Sequence, residues 1–92
     1  MIKADRDRLA KLHTMRCIAC GASPVEAHHM INQQHKTRDH QRTIPLCGDR
    51  TKSWGCHTGP FSIHGSRKSW REKYGHEEDL LLKTNELLGR MT

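Results

Sequence analysis

Cys17-Ile-Ala-Cys20-Gly21 sets two thiols three positions apart on what reads as a tight turn, and two more cysteines follow at Cys47 and Cys56. That pattern matters because the chain is short of core material. Its 92 residues make one domain at most, and a domain of this size buries only about 60% of the surface its unfolded chain exposes. Hydrophobic residues make up 34% and aromatics 4% (Trp54, Phe61, Trp70 and Tyr74), so a staple such as a structural metal is expected. The opening residues Met-Ile-Lys-Ala-Asp-Arg-Asp-Arg are charged, without the apolar region of a signal peptide, and no run reaches transmembrane length. The expectation is therefore a reducing cytoplasm, where four cysteines with a Cys-x-x-Cys favour Zn2+ over disulfides. A redox role for Cys17 and Cys20 wants a βαβ context, which so small a chain does not supply.

The centre of the chain is Val25-Glu-Ala-His28-His29-Met-Ile-Asn32. Ser23-Pro24 breaks the backbone ahead of it, and the spacing predicts a strand from Val25 to Ile31. Successive side chains on a strand point to opposite faces, so His28 and His29 cannot do the same job. One can hold a metal while the other faces a substrate. A polar loop from Asn32 to Arg42 leads to a second extended segment, Thr43-Ile-Pro-Leu-Cys47, giving a hairpin whose long tip suggests function rather than mere connection.

Helices are expected around this hairpin. Ala4 to His13 carries Leu9, Ala10 and Leu12 among charges. It reads as a solvated helix covering the zinc site or, alternatively, as a DNA-facing one using Arg6, Arg8 or Lys11. Pro60 suits a helix start, with Phe61 to about His64 following. Arg67 to Tyr74 has Ser66 as a plausible cap and Gly75 as its stop, and Glu77 to Leu88 carries Leu80, Leu81, Leu82, Leu87 and Leu88 on an expected packing face. The formal charge is +6 and the sequence pI about 9.5, a balance that suits nucleic acid, although Lys and Arg are spread along the chain and any phosphate-binding surface must be assembled by folding.

In order, Cys17-Ile-Ala-Cys20, Glu26-Ala-His28-His29, Asp39-His40, Ile44-Pro-Leu-Cys47, Cys56-His57, Ile63-His64-Gly65, Trp70 and Tyr74-Gly75 resemble the HNH endonucleases of the ββα-metal superfamily, and more closely the phage Ref group of RecA-dependent nucleases. The likeness runs from about Leu12 to Leu88. Where the family usually places His-His soon after Pro-Leu-Cys, this chain has Cys56-His57 after eight intervening residues. The resemblance implies an α+β fold, a zinc-braced β-hairpin plus helix with flanking helices, in one domain over 1–92. The zinc and catalytic core would span about 15–66 and the C-terminal helices about 67–89. It also implies a DNA substrate, a RecA filament as possible partner, and a phage or prophage origin in a bacterial host.

Carried over by position, His28 is a catalytic-metal ligand and His29 the general base, with His57 and His64 as further ligands; Cys17, Cys20, Cys47 and Cys56 hold structural Zn2+. A rival arrangement lets His57 complete the structural zinc, but an exposed Cys56 thiol beside a metal would be a liability. Asp39 could ligate the ion or orient His29, and His40 could instead fix the His29 tautomer; the choice stays open. His13, His35 and His76 read as surface residues. Phosphodiester hydrolysis needs a base and a Lewis acid, and neutral imidazole serves at pH 7 as the base. Mg2+ or Mn2+ is the expected working ion, though three imidazoles also suit Zn2+ or Ni2+. The reading from a different class is a non-catalytic zinc module that binds DNA or a protein.

Overall fold

The computed structural model describes residues 2–30, 39–48, 55–57 and 62–90. Helix α1 (Lys3–Leu12) is followed by strands β1 (Val25–His29) and β2 (Thr43–Cys47), then helices α2 (Arg67–Tyr74) and α3 (Glu77–Arg90), an α+β arrangement. The strands form a two-stranded antiparallel sheet with Val25 opposite Cys47, His28 opposite Ile44 and His29 opposite Thr43. Among the described residues, no helix is long and apolar enough to cross a membrane.

The register explains how Pro45 is accommodated in a strand that is buried along its whole length. In an antiparallel pair, residues alternate between those that bond to the partner and those whose N–H and C=O point away. Met30 N–H donates to Arg42 O at 2.9 Å, which puts Ile44 and Leu46 in the inward set and Thr43, Pro45 and Cys47 in the outward set. Proline has no N–H to lose there. The three outward carbonyls then dock the rest of the molecule. Thr43 O accepts from Arg8 Nη2 (2.7 Å), Pro45 O from Ile18 N–H (2.9 Å) and Cys47 O from His57 N–H (3.1 Å).

Beneath the hairpin, Ile44, Leu46 and Ile63 are fully buried and pack with Trp70, Leu80 and Leu81. Helix α3 meets β2, and its inner stripe is Glu77, Leu81, Thr84 and Leu88, the spacing of one helical face, with Leu80 beside it. The five leucines expected to share a packing face therefore divide. Leu82 is 68% exposed and Leu87 40% exposed, because each residue advances 100° and three consecutive leucines cannot all face one core.

Other sequence expectations shift modestly. β1 ends at His29, with Met30 making one more pairing bond, and Ile31 lies outside the described residues. α1 sits one residue earlier than expected, and α3 runs on to Arg90. Ser66 precedes α2 but makes no side-chain capping bond, since its backbone (φ −146°, ψ 68°) is outside the extended geometry that aims a capping oxygen. The expected helix after Pro60 is, over its described part, a turn closed by Ser66 N–H to Ser62 O (2.8 Å); Pro60 and Phe61 lie outside the described residues, as do Trp54, His35 and most of the hairpin tip.

Arg8, a candidate DNA contact, is used inside the fold instead. Besides Thr43 O, its guanidinium bonds Thr43 Oγ1 (3.0 Å) and Asn85 Oδ1 (2.8 Å), tying α1 to β2 and α3, while Thr43 Oγ1 donates onward to His40 O (2.9 Å). Thr43 is fully buried, so removing its partner leaves a carbonyl without water. Arg8→Ala is expected to lower stability by about 1–3 kcal/mol, read from the midpoint of urea unfolding; an unchanged midpoint would show that water replaces the arginine.

Candidate metal centres

Among the described residues, two clusters of side chains that could hold a metal form on this frame: Cys17, Cys20, Cys47 and Cys56, and separately His28, His57 and His64. In each, one donor atom per residue lies within 4.8 Å of the others.

The four thiols come from three segments held on β2. The turn at Cys17 is closed by Gly21 N–H to Cys17 O (2.9 Å), with Gly21 at φ 81°, a conformation that side chains with a Cβ rarely adopt. Cys47 ends β2. Cys56 is reached through Gly55, whose φ is 143° and where an added Cβ would lie 2.6 Å from Cys47 O, so only glycine passes there. Cys20 Sγ lies 3.5 Å from Cys47 Sγ and 3.7 Å from Cys56 Sγ. A zinc tetrahedron with Zn–S bonds of about 2.3 Å has sulfur–sulfur edges of about 3.8 Å. These two separations are close to that edge, and with all four sulfurs within 4.8 Å of one another the cluster can coordinate a structural metal such as zinc.

The electrostatics of the four thiols differ by position. Burial would raise Cys17, but backbone N–H groups of Cys20, Cys47 and Ala19 aimed at its sulfur bring its pKa below the ordinary thiol value. Burial pushes Cys47 and Cys56 up, with neighbouring sulfurs adding to the shift. A divalent ion supplies the charge that lets all four ionise together.

The histidine cluster is assembled by the same backbone. His28 is 1% exposed on β1. His57 follows Cys56 on the segment bonded to Cys47 O, and Ile63 N–H to Cys56 O (2.9 Å) brings the turn with His64 alongside. The three rings meet edge to face with centroids 4.9–5.4 Å apart. Burial lowers the His57 and His64 pKa values, and the neighbouring imidazoles lower them further, although Glu26 opposes this at His57. Neutral rings at pH 7 are the form that binds a metal. Glu26 Oε1 lies 3.5 Å from His57 Nδ1, from the same face of β1 as His28.

The predicted site residues therefore sort by geometry. Cys56 lies with the thiols and His57 with the imidazoles, although the two are adjacent. His29 diverges from His28 and meets His40, Nε2 to Nδ1 at 3.0 Å. Asp39, the other candidate partner of His29, is exposed; its Oδ1 accepts from Gln41 N–H (2.9 Å) and its charge acts on Arg8.

Sequence reading missed Glu77. From the start of α3, its Oε2 sits 3.1 Å from His28 Nε2, and its Oε1 accepts from Arg71 Nη2 (2.7 Å), with Arg67 Nε at 3.9 Å. The hydrogen bond to His28, with those cations, holds the carboxyl well below its usual range, at about 2. The only sequence signal was an acidic residue at a helix start, which the helix dipole alone accounts for.

Comparison of the chain with protein-family models, with curated proteins and with solved structures found no match in any of the three.

Two outcomes follow from this geometry. Cys56→Ser should lose tightly held zinc and much of the fold, whereas His57→Ala should keep zinc on the thiolates, as read by chelator-monitored release; the reverse pattern would assign His57 to the thiolate zinc. For pH, a carboxyl depressed from 4.5 to about 2 contributes stability that is complete above about pH 4.5 and is lost as pH falls through about 2. Acid unfolding of metal-free protein should therefore steepen across that window, and Glu77→Gln should remove that component.

Proposed function

We propose that the chain is a metal-dependent endonuclease of the HNH type that hydrolyses DNA phosphodiester bonds. The observation that carries this reading is the convergence of three imidazoles, His28, His57 and His64, beside a separate four-cysteine cluster. Structural zinc sites use four protein ligands, whereas catalytic ones keep three and leave a position for water or substrate. Four thiols fit the first description and three histidines the second.

The roles follow from position. His28, His57 and His64 would hold the divalent ion, Mg2+ or Mn2+ as working ion, with Zn2+ also suited to nitrogen donors. Such an ion supplies Lewis-acid stabilisation of the phosphate and of the departing 3′-oxygen. His29 takes the proton from the attacking water as general base, and its bond to His40 fixes the orientation of the ring. His40, rather than Asp39, is thus the partner of His29. The excess of cations, +6 over the chain, favours a polyanionic substrate. Delivery of that substrate by a RecA filament rests on the resemblance to the Ref group alone.

The test is incubation of purified protein with supercoiled plasmid and with single-stranded DNA under EDTA, Mg2+ and Mn2+, with and without a RecA filament, beside His29→Ala. Metal-dependent cutting that falls at least about 100-fold in His29→Ala, with zinc content and circular dichroism unchanged, is the expected result. A fully active His29→Ala would sink the assignment. DNA retention without any cut under either ion would leave the non-catalytic zinc module as the function.

A further inference from the structure

His28 shows an unusual division between its two ring nitrogens. Nε2 lies 3.1 Å from Glu77 Oε2, while Nδ1 is buried with no hydrogen-bond partner. A buried polar atom without a partner is costly and calls for an explanation. An ionised carboxylate has no hydrogen to give, so the shared proton belongs to His28 Nε2. The lone pair then resides on Nδ1, in the ring that stands against His57 and His64.

We infer that Glu77 is a positioning residue for the histidine metal centre: by accepting the Nε2 proton of His28 it fixes the tautomer and orientation that present Nδ1 to a divalent cation. The inference rests on the metal-site reading above. Glu77 comes from α3, 49 residues along the chain from His28, and is itself only 7% exposed. Its second oxygen is held by Arg71, with Arg67 close by, so the carboxylate cannot swing away from the imidazole without giving up that ion pair. A metal-bound histidine whose other nitrogen donates to a carboxylate is a more basic and better-oriented ligand, and loss of such a partner commonly weakens metal binding about 10–100-fold. The arginines are 40% and 51% exposed at their side chains, so the pairing also connects the buried ligand to the basic surface over α2.

The experiment uses the full chain loaded with zinc on its thiolates and titrated with Co2+, whose visible absorption reports nitrogen coordination, for the wild type, Glu77→Gln and Glu77→Ala. Long-range 1H–15N spectra of the metal-free histidine site report the His28 tautomer. The expected result is an Nε2–H tautomer in the wild type and mixed tautomers in Glu77→Ala. Co2+ binding should weaken about 10–100-fold in Glu77→Ala and less in Glu77→Gln, which keeps an acceptor oxygen. Should Glu77→Ala fail to fold, Glu77→Gln carries the comparison. Equal Co2+ affinity in wild type and folded variant, or an Nδ1–H tautomer in the wild type, overturns the role of Glu77 while leaving the metal site and its nuclease reading intact. A wild type that takes up no second ion overturns the histidine centre and this role together.

Discussion

The outward edge of β2 is the constraint on which the rest of the molecule depends. A two-stranded sheet is marginal by itself and leaves a row of backbone groups unpaired on each side. Here the carbonyls of Thr43, Pro45 and Cys47 are answered by Arg8, by Ile18 N–H and by His57 N–H. Buried carbonyls without partners would each cost on the order of 1–3 kcal/mol. Satisfying them docks α1, the Cys17–Cys20 turn and the Cys56-His57 segment along one strand. Backbone hydrogen bonds thus bring the Cys17–Cys20 turn, Cys47, Cys56 and His57 to the end of one strand.

That docking also explains how adjacent residues can serve different centres. Cys56 N–H bonds Cys47 Sγ at 3.3 Å and His57 N–H bonds Cys47 O at 3.1 Å, so the two consecutive amides straddle the end of β2. Cys56 turns toward the thiols and His57 toward the imidazoles. The same separation occurs at His28 and His29, there from simple strand alternation. In each pair one residue is more deeply buried than its neighbour.

Much of this was legible in the sequence where the determinant is local. Thr43–Cys47 and Arg67–Tyr74 begin and end where turn residues and apolar patterning place them, and the thiols stand out by their spacing, whereas the grouping of His28, His57 and His64 came from the resemblance to the HNH endonucleases. What was illegible depends on distant partners. Arg8 reads as a solvent-facing cation until β2 presents a buried carbonyl, 35 residues away. Glu77 reads as a favourable charge at a helix start until His28 is found against it. Leu82 looks like core in a run of leucines, and only the packing of α3 decides which of them turns outward.

Glu77 shows why a small chain would place a carboxylate where another leucine would fit. Burying an isolated carboxylate is prohibitive, and paired burial is often no more stabilising than a hydrophobic replacement. Stability alone therefore gives little reason for Glu77 to occupy the inner stripe of α3 beside Leu80 and Leu81. Its bonds to His28 on one oxygen and Arg71 on the other tie the imidazole cluster directly to the helix that completes the core. An ion bound by the histidines would then favour the docked position of α3, and loosening of α3 would release the His28 ring. On that proposed reading, metal binding and folding of the C-terminal half would become one equilibrium, with the carboxylate as the mechanical link.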